Sequence, residues 1–442
     1  MSGILFSGGS IVSAEGSYRA DVLVEDEKIV AVGTNLDTED ADTVDASGKL
    51  VMPGFIDAHT HMDMPFGGTV TADDWATGTE AAAAGGTTMI IDFALQEAGG
   101  TLAGAFDTWT EKAQGKAIID YGFHVAITDL RDDIKTELPD LAEKGVASVK
   151  IFMAYKGTPL YTEDEDLFEA LQLSRDAGVL VMVHAENGDA IAKLQEQALS
   201  RGDMAPRFHA LTRPEPVEAE ATNRAIRLAE VAGVPILVVH VSCAPALEAV
   251  HLAHERGQTV YAETCPQYFA FEYEDLAREG FEGAKYVCSP PLRDPSSRPA
   301  LWNGLKVGDL QIFGSLLFQL PRAERARQGR LHPDPQRATW RRRTGHDPLD
   351  ARRPRGEALR EPVRRRPLHQ PGAHLRRLSQ KRDAGARRRR GNRPHVTLRP
   401  RDARALLRAR EEHDDDGRQH AHDRERERAE PGEERADEDA LH

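Results

Sequence analysis

The sequence predicts an α/β chain: an eightfold, TIM-like (β/α)8 barrel with a small β-sandwich annexe before it and an irregular stretch after it. Three observations predict this. Eight apolar runs of strand length recur between residues 51 and 314 and alternate with segments of helical composition. The runs are too uniformly apolar for a sheet with one wet face, which implies a parallel sheet covered by helices. The composition then changes abruptly near Ser315.

Residues 1–50 carry short β-rich runs such as Ile4-Leu5-Phe6, Asp21-Val22-Leu23-Val24 and Lys28-Ile29-Val30-Ala31-Val32, punctuated by Gly, Asp and Ser. So short a segment makes an incomplete sandwich that needs strands from elsewhere in the chain. Residues 51–315 hold the barrel. Its strands are expected at 51–56, 88–93, 122–128, 147–153, 180–184, 236–241, 259–263 and 310–314, with helices over 75–84, 105–116, 165–177, 216–232 and 244–256. A doubly wound open sheet is the alternative; the count of eight favours the barrel.

Residues 316–442 follow no such plan. They contain no Ile, Met, Tyr or Cys, and they hold 33 Arg against 1 Lys. Such a stretch cannot bury enough apolar surface to offset chain entropy, so disorder is expected. A basic tail that binds nucleic acid is one reading. An evolved basic tail mixes Lys with Arg, however, and Arg, Pro, Ala, Gly and His are what GC-rich codons give in a shifted reading frame. We read the stretch as frameshifted.

The formal charge of −15 hides this break. Residues 1–315 carry 12 Arg, 11 Lys and 50 acidic residues, a net of −27. That argues against a nucleic-acid or anionic-membrane partner for the body. The three cysteines, Cys243, Cys265 and Cys288, form no disulfide framework or zinc knuckle. No signal segment opens the sequence and no run is long enough to span a bilayer, so a cytoplasmic location is expected.

Functional groups of such a barrel sit at the C-terminal ends of its strands. The run 50–56 reads as a buried strand ending in Asp57, followed by His59 and His61 on one side of an extended chain. The fifth run ends in His184 and the sixth in His240. Four of the eight histidines in the body thus fall at strand ends on one face. Each alone reads as a hydrogen-bonded structural residue; together they read as metal ligands. His124, His209, His251 and His254 receive no such role.

Lys150 lies inside the fourth run, between Val149 and Ile151. A buried Lys is costly unless paired or modified. Snorkelling is one reading. The other is a neutral amine, its pKa depressed by burial, that has added CO2 to become a carbamate bridging two cations. A water on such a pair would be acidified to a hydroxide nucleophile.

The segments DAHTHMDMPFGGTVTADDWATGT, SVKIFMAYKG, VMVHAEN, HVSCAPALEAV, ETCPQYF and CSPPLR together resemble the dihydropyrimidinase/hydantoinase family, cyclic amidohydrolases of the amidohydrolase superfamily. The resemblance spans about residues 1–315. It implies a zinc enzyme, usually a homotetramer, that opens the ring amide of hydantoins or dihydropyrimidines to N-carbamoyl amino acids. It also implies that His59 and His61 bind one metal, His184 and His240 the other, and carboxylated Lys150 bridges them. Tyr155 would hydrogen-bond the oxyanion, Ser289 would contact the ring's imide, and Met62, Phe66 and the loop 156–161 would line the pocket.

One departure matters. The family has an Asp directly after the Gly-Ser that ends the eighth strand, as metal ligand and general base. Here Phe313-Gly314-Ser315 is followed by Leu316. The chain as written is therefore expected to be inactive or nearly so. Allantoinase or dihydroorotase activity and a non-catalytic scaffold on the same fold are the alternatives. The segment after His61 looks less like the first two, and the intact histidines and lysine argue against the last.

Overall fold

A computed structural model describes residues 3–14, 16–36, 41–66, 69–280 and 282–316. The disorder expected for the Arg/Pro-rich stretch concerns residues that, Leu316 apart, lie outside the described ones. Two compact units result, and among the described residues they comprise residues 3–55 with 81–87, and residues 56–80 with 88–316.

In the first unit Gly3–Ser7 pairs antiparallel with Asp21–Glu25 and parallel with Ala41–Asp45, and Lys28–Gly33 completes a four-stranded sheet. Ser10–Ser13, Gly16–Arg19 and Leu50–Val51 form a three-stranded sheet. Ile4, Leu5, Val22 and Val24 are buried, whereas Ile29, Val30 and Val32 are 41%, 51% and 48% exposed.

The second unit is the barrel. Its strands are β1 (Phe55–Thr60), β2 (Thr87–Leu95), β3 (Asp120–Ala126), β4 (Ser148–Phe152), β5 (Leu180–His184), β6 (Ile236–Val238), β7 (Val260–Thr264) and β8 (Ile312–Phe313). They lie side by side in chain order, with parallel pairings from β2 through β8. A doubly wound sheet reverses its strand order at a switch point; this one never does. Phe93, Met182, Leu237 and Val239 fill its buried core, with Leu180, Tyr261 and Ile312 packed against them.

Helices return the chain between strands. Asp164–Ala177 begins on three acids, which suit the positive end of the helix dipole, and ends at Gly178 with φ 69°. Glu215–Ala232 likewise ends at Gly233, φ 68°. Each stop leads within a few residues into β5 or β6, the strands that lead to His184 and His240.

The expectation for the first strand needs correction. The run 50–56 is not one buried strand. Leu50–Val51 pairs with Ser10–Ser13, and β1 begins only at Phe55. Leu50, Phe55 and Ile56 are 63%, 53% and 59% exposed. Pro53 lacks the N–H that a ladder needs, and Gly54 weakens a strand, so the apolar run divides there. The sixth strand is also shorter than expected. It ends at Val238, and His240 turns out of the sheet with φ 44°.

Candidate active site

The C-terminal ends of the strands bring the histidines together over the ring of Phe93, which projects from β2. The Phe93 ring lies 4.8 Å from that of His59 and 5.0 Å from that of His61. His59 and His61 are 5.2 Å apart, His59 and His240 5.5 Å, and His184 and His240 4.5 Å, between ring centres. Lys150 Nζ stands 3.1 Å from His59 Nε2 and 4.2 Å above Phe93. In register Lys150 faces Ala126 on β3 and Met182 on β5, two residues deeper than the level of His184. All five side chains are buried.

Burial governs their chemistry. It pulls the Lys150 amine down to about 7, against the opposing pull of Glu263. Burial first, and then neighbouring cationic groups including Lys150, hold His59, His61 and His240 well below the usual imidazole range. The cluster is thus built from neutral nitrogen bases, the form that donates a lone pair. Both ring nitrogens of His240 are buried without a hydrogen-bond partner. Its backbone is pinned on each side: Val239 N–H donates to Val183 O at 3.2 Å and Val241 N–H to Glu263 O at 2.7 Å. That pinning holds a non-glycine residue in the left-handed region, a cost that persists only where surroundings impose it.

Among the described residues no three His, Cys, Asp or Glu side chains stand as a ready-made metal site.

Tyr155 sits after β4 with φ 67°, its ring 5.1 Å from His184 and 6.5 Å from Phe66. Burial, with Glu186 nearby, pushes its phenol up, while a hydrogen bond with Ser289 opposes this. The phenol is therefore a proton donor at neutral pH. Ser289 precedes a cis peptide to Pro290, and its hydroxyl lies 3.1 Å from His209 Nε2. Met62 is fully buried, with its sulfur where a Cβ on Gly78 would fall, and its N–H donates to Asp92 at 2.8 Å.

Four residues escaped sequence reasoning. Glu263, the last residue but one of β7, grips His59; Glu186 follows His184 and grips it. Asp92 accepts from Thr60 Oγ1 and Met62 N, both at 2.8 Å, and so brackets His61. Phe93 is the floor. The signal was available for the acids: a carboxylate at the end of an apolar run is as costly to bury as a histidine there, and needs the same kind of explanation.

The family model described as "Amidohydrolase family" matches residues 50–261. The D-hydantoinase of Geobacillus stearothermophilus is 52% identical over 312 residues, 70% of this chain and 66% of that protein. The D-hydantoinase of Streptomyces coelicolor is 49% identical, covering 70% of this chain and 67% of the relative. The crystal structure of dihydropyrimidinase from Brevibacillus agri superposes with a TM-score of 0.73 at 47% identity, covering 75% of this chain and 72% of that one. The chain belongs to the amidohydrolase family, in its hydantoinase/dihydropyrimidinase branch. It spans about two thirds of the length of these relatives. Among the described residues no helix is long and apolar enough to cross a membrane.

Proposed function

We propose that this sequence derives from a metal-dependent cyclic-amide hydrolase that opens hydantoins or dihydropyrimidines to N-carbamoyl amino acids. The carrying observation is the convergence of four buried imidazoles on one buried lysine, Lys150 Nζ being 3.1 Å from His59 Nε2. The cluster fits divalent cations. His240 keeps two buried, unpartnered ring nitrogens, and two basic nitrogens face each other between Lys150 and His59, a pairing that a shared proton satisfies only once. His59 and His61 would hold one ion, His184 and His240 a second, zinc being the first choice, with carboxylated Lys150 between them. Bound there, such ions would acidify a water and polarise the scissile carbonyl.

This chain's own residues do the rest. The half-buried Tyr155 keeps its proton and donates a hydrogen bond to the oxygen on which charge develops. Ser289 offers its backbone to the ring's imide, and Phe66 with the loop 156–161 flanks the ring substituent. A small cyclic ureide is the substrate, and nucleic acid is no partner; a homotetramer is the assembly we expect.

Leu316 stands where a carboxylate would take the attacking water's proton and return it to the leaving nitrogen. Loss of a general base alone costs on the order of 10²–10⁴-fold in rate. We therefore expect the 442-residue chain to bind about two equivalents of zinc yet to turn over hydantoin or dihydrouracil far more slowly than its relatives. Metal analysis of the purified chain and a ring-opening assay test this. Failure to take up zinc overturns the metal site, and turnover near the relatives' rate overturns the account of Leu316.

A further inference from the structure

We propose that Glu263 and Glu186 are positioning residues, one behind each pair of histidines, which fix the ring nitrogen that His59 and His184 turn toward the cluster. The inference rests on the metal-site reading above and names what holds its two anchoring imidazoles.

Glu263 meets His59 Nδ1 with both carboxylate oxygens, at 3.0 and 2.8 Å, and is buried with it. The opposite nitrogen, Nε2, is the one that faces Lys150 Nζ at 3.1 Å. The ring is therefore held at one end and presented at the other. Glu186 meets His184 on the other side of the ring, Oε2 to Nε2 at 2.8 Å, with Arg213 Nε 3.8 Å behind the carboxylate. His184 consequently turns Nδ1 away from the acid. An ionised carboxylate only accepts, so once the acid is ionised the nitrogen that faces it carries the hydrogen and its counterpart carries the lone pair; burial pushes Glu263 up to about 8, and the ring states are therefore read above that pH. Neither nitrogen of His240 has a hydrogen-bond partner, so one histidine of the second pair is gripped and its mate is free to adjust.

The space for Glu263 is itself built into the sequence. A Cβ added at Gly314 would fall 2.0 Å from Glu263 Oε1 and 2.9 Å from His59 Cβ. Glycine at the end of β8 thus keeps the carboxylate where it reaches His59. Any side chain there would push it off the ring.

The test uses the full chain, stripped of metal, beside Glu263→Ala, Glu263→Gln, Glu186→Ala and Glu186→Gln. Nitrogen-15 NMR of the histidine rings, assigned by single substitutions, is the first readout. The parent should show His59 protonated at Nδ1 and His184 at Nε2, and each Ala variant should lose its own state. Zinc affinity against a chromophoric chelator is the second. Each Ala variant should weaken it about 10–100-fold, the usual size for such outer contacts, and Gln, which keeps an accepting oxygen, should recover most of it. Acids that merely support the fold would lower the melting temperature and leave ring state and zinc affinity unchanged; that result overturns the proposal. A parent that takes up no zinc overturns the metal reading, and the ring spectra then decide alone: His59 protonated at Nε2 sinks the proposal.

Discussion

The backbone N–H of Ser315 donates to Asp57 Oδ1 at 3.0 Å, so the last strand of the barrel is tied to the first by one carboxylate oxygen. The same oxygen accepts from His59 N at 3.1 Å. The seam of the barrel and the first histidine of the cluster therefore share an acceptor. Asp57→Ala leaves two N–H groups without it, at a cost of roughly 1–3 kcal/mol for each that stays buried and unsatisfied. Urea unfolding should move to a lower midpoint, and zinc uptake should weaken because His59 loosens. Asp57→Asn retains one accepting oxygen and should recover most of both.

Leu316 follows that seam in the left-handed region, φ 49°. A branched apolar side chain is poorly suited to this conformation, whereas Asp and Asn adopt it several-fold more readily. Leu316→Asp should accordingly be tolerated, and it returns a carboxylate to the end of β8. Hydantoin ring opening should rise at least about tenfold over the parent, part of the 10²–10⁴ a general base provides. A properly folded Leu316→Asp chain with no gain would move the defect from residue 316 to the sequence beyond it.

The barrel was legible because most of its strands carry an apolar run and its longer helices stop at a glycine or polar turn; neither signal depends on distant partners. The histidines were legible because they interrupt or end such runs, as Lys150 does. Strand edges were not. Pro53 and Gly54 divide what reads as one run, and β6 gives way to a strained turn before His240, because backbone pairing decides those limits. Glu263 and Glu186 went unread for a related reason: a carboxylate acquires its role only when the fold carries a histidine from another strand, or a side chain two residues back, onto its oxygens. That contact between Glu263 and His59 joins residues 204 positions apart.

Lys150→Met separates stability from ligation. The amine is buried against His59 and the faces of Phe93 and Phe152, and its pKa falls to about 7 because burial disfavours its charge, Glu263 opposing the fall. An apolar side chain of similar length fills the same space without the desolvation cost that a buried amine carries. The metal-free Met variant should melt at or above the temperature of the parent. Its zinc uptake should fall sharply if, as proposed, Lys150 is the donor shared by both histidine pairs. Calorimetric melting with zinc analysis of the same samples checks both, and a large loss of stability without loss of zinc would contradict the assignment.

His209 should make the fold sensitive to acid. Its Nε2–H donates to Cys288 O at 2.9 Å, and its Nδ1 accepts from Arg213 Nη1 at 3.3 Å, so the neutral ring is satisfied on both sides. Burial, and then the charge of Arg213, pull its pKa from 6.5 down to about 3. An unfolded chain binds this proton near 6.5, and the folded chain does so only near 3. Between those values the unfolded state holds more protons, so stability rises with pH. The contribution is fully present above about 6.5 and is lost progressively as pH falls toward 3. The melting temperature should therefore drop from pH 7 to pH 4.5, and His209→Gln should flatten that slope while lowering the melting temperature at pH 8, where the native hydrogen bonds are intact. His124, also buried and held to about 4, titrates in the same direction, as do the buried His59, His61, His184 and His240. Adding His124→Gln should flatten the slope further and leave the share of the four clustered histidines, and a double variant whose slope equals that of the parent would show that His209 and His124 do not set the acid sensitivity.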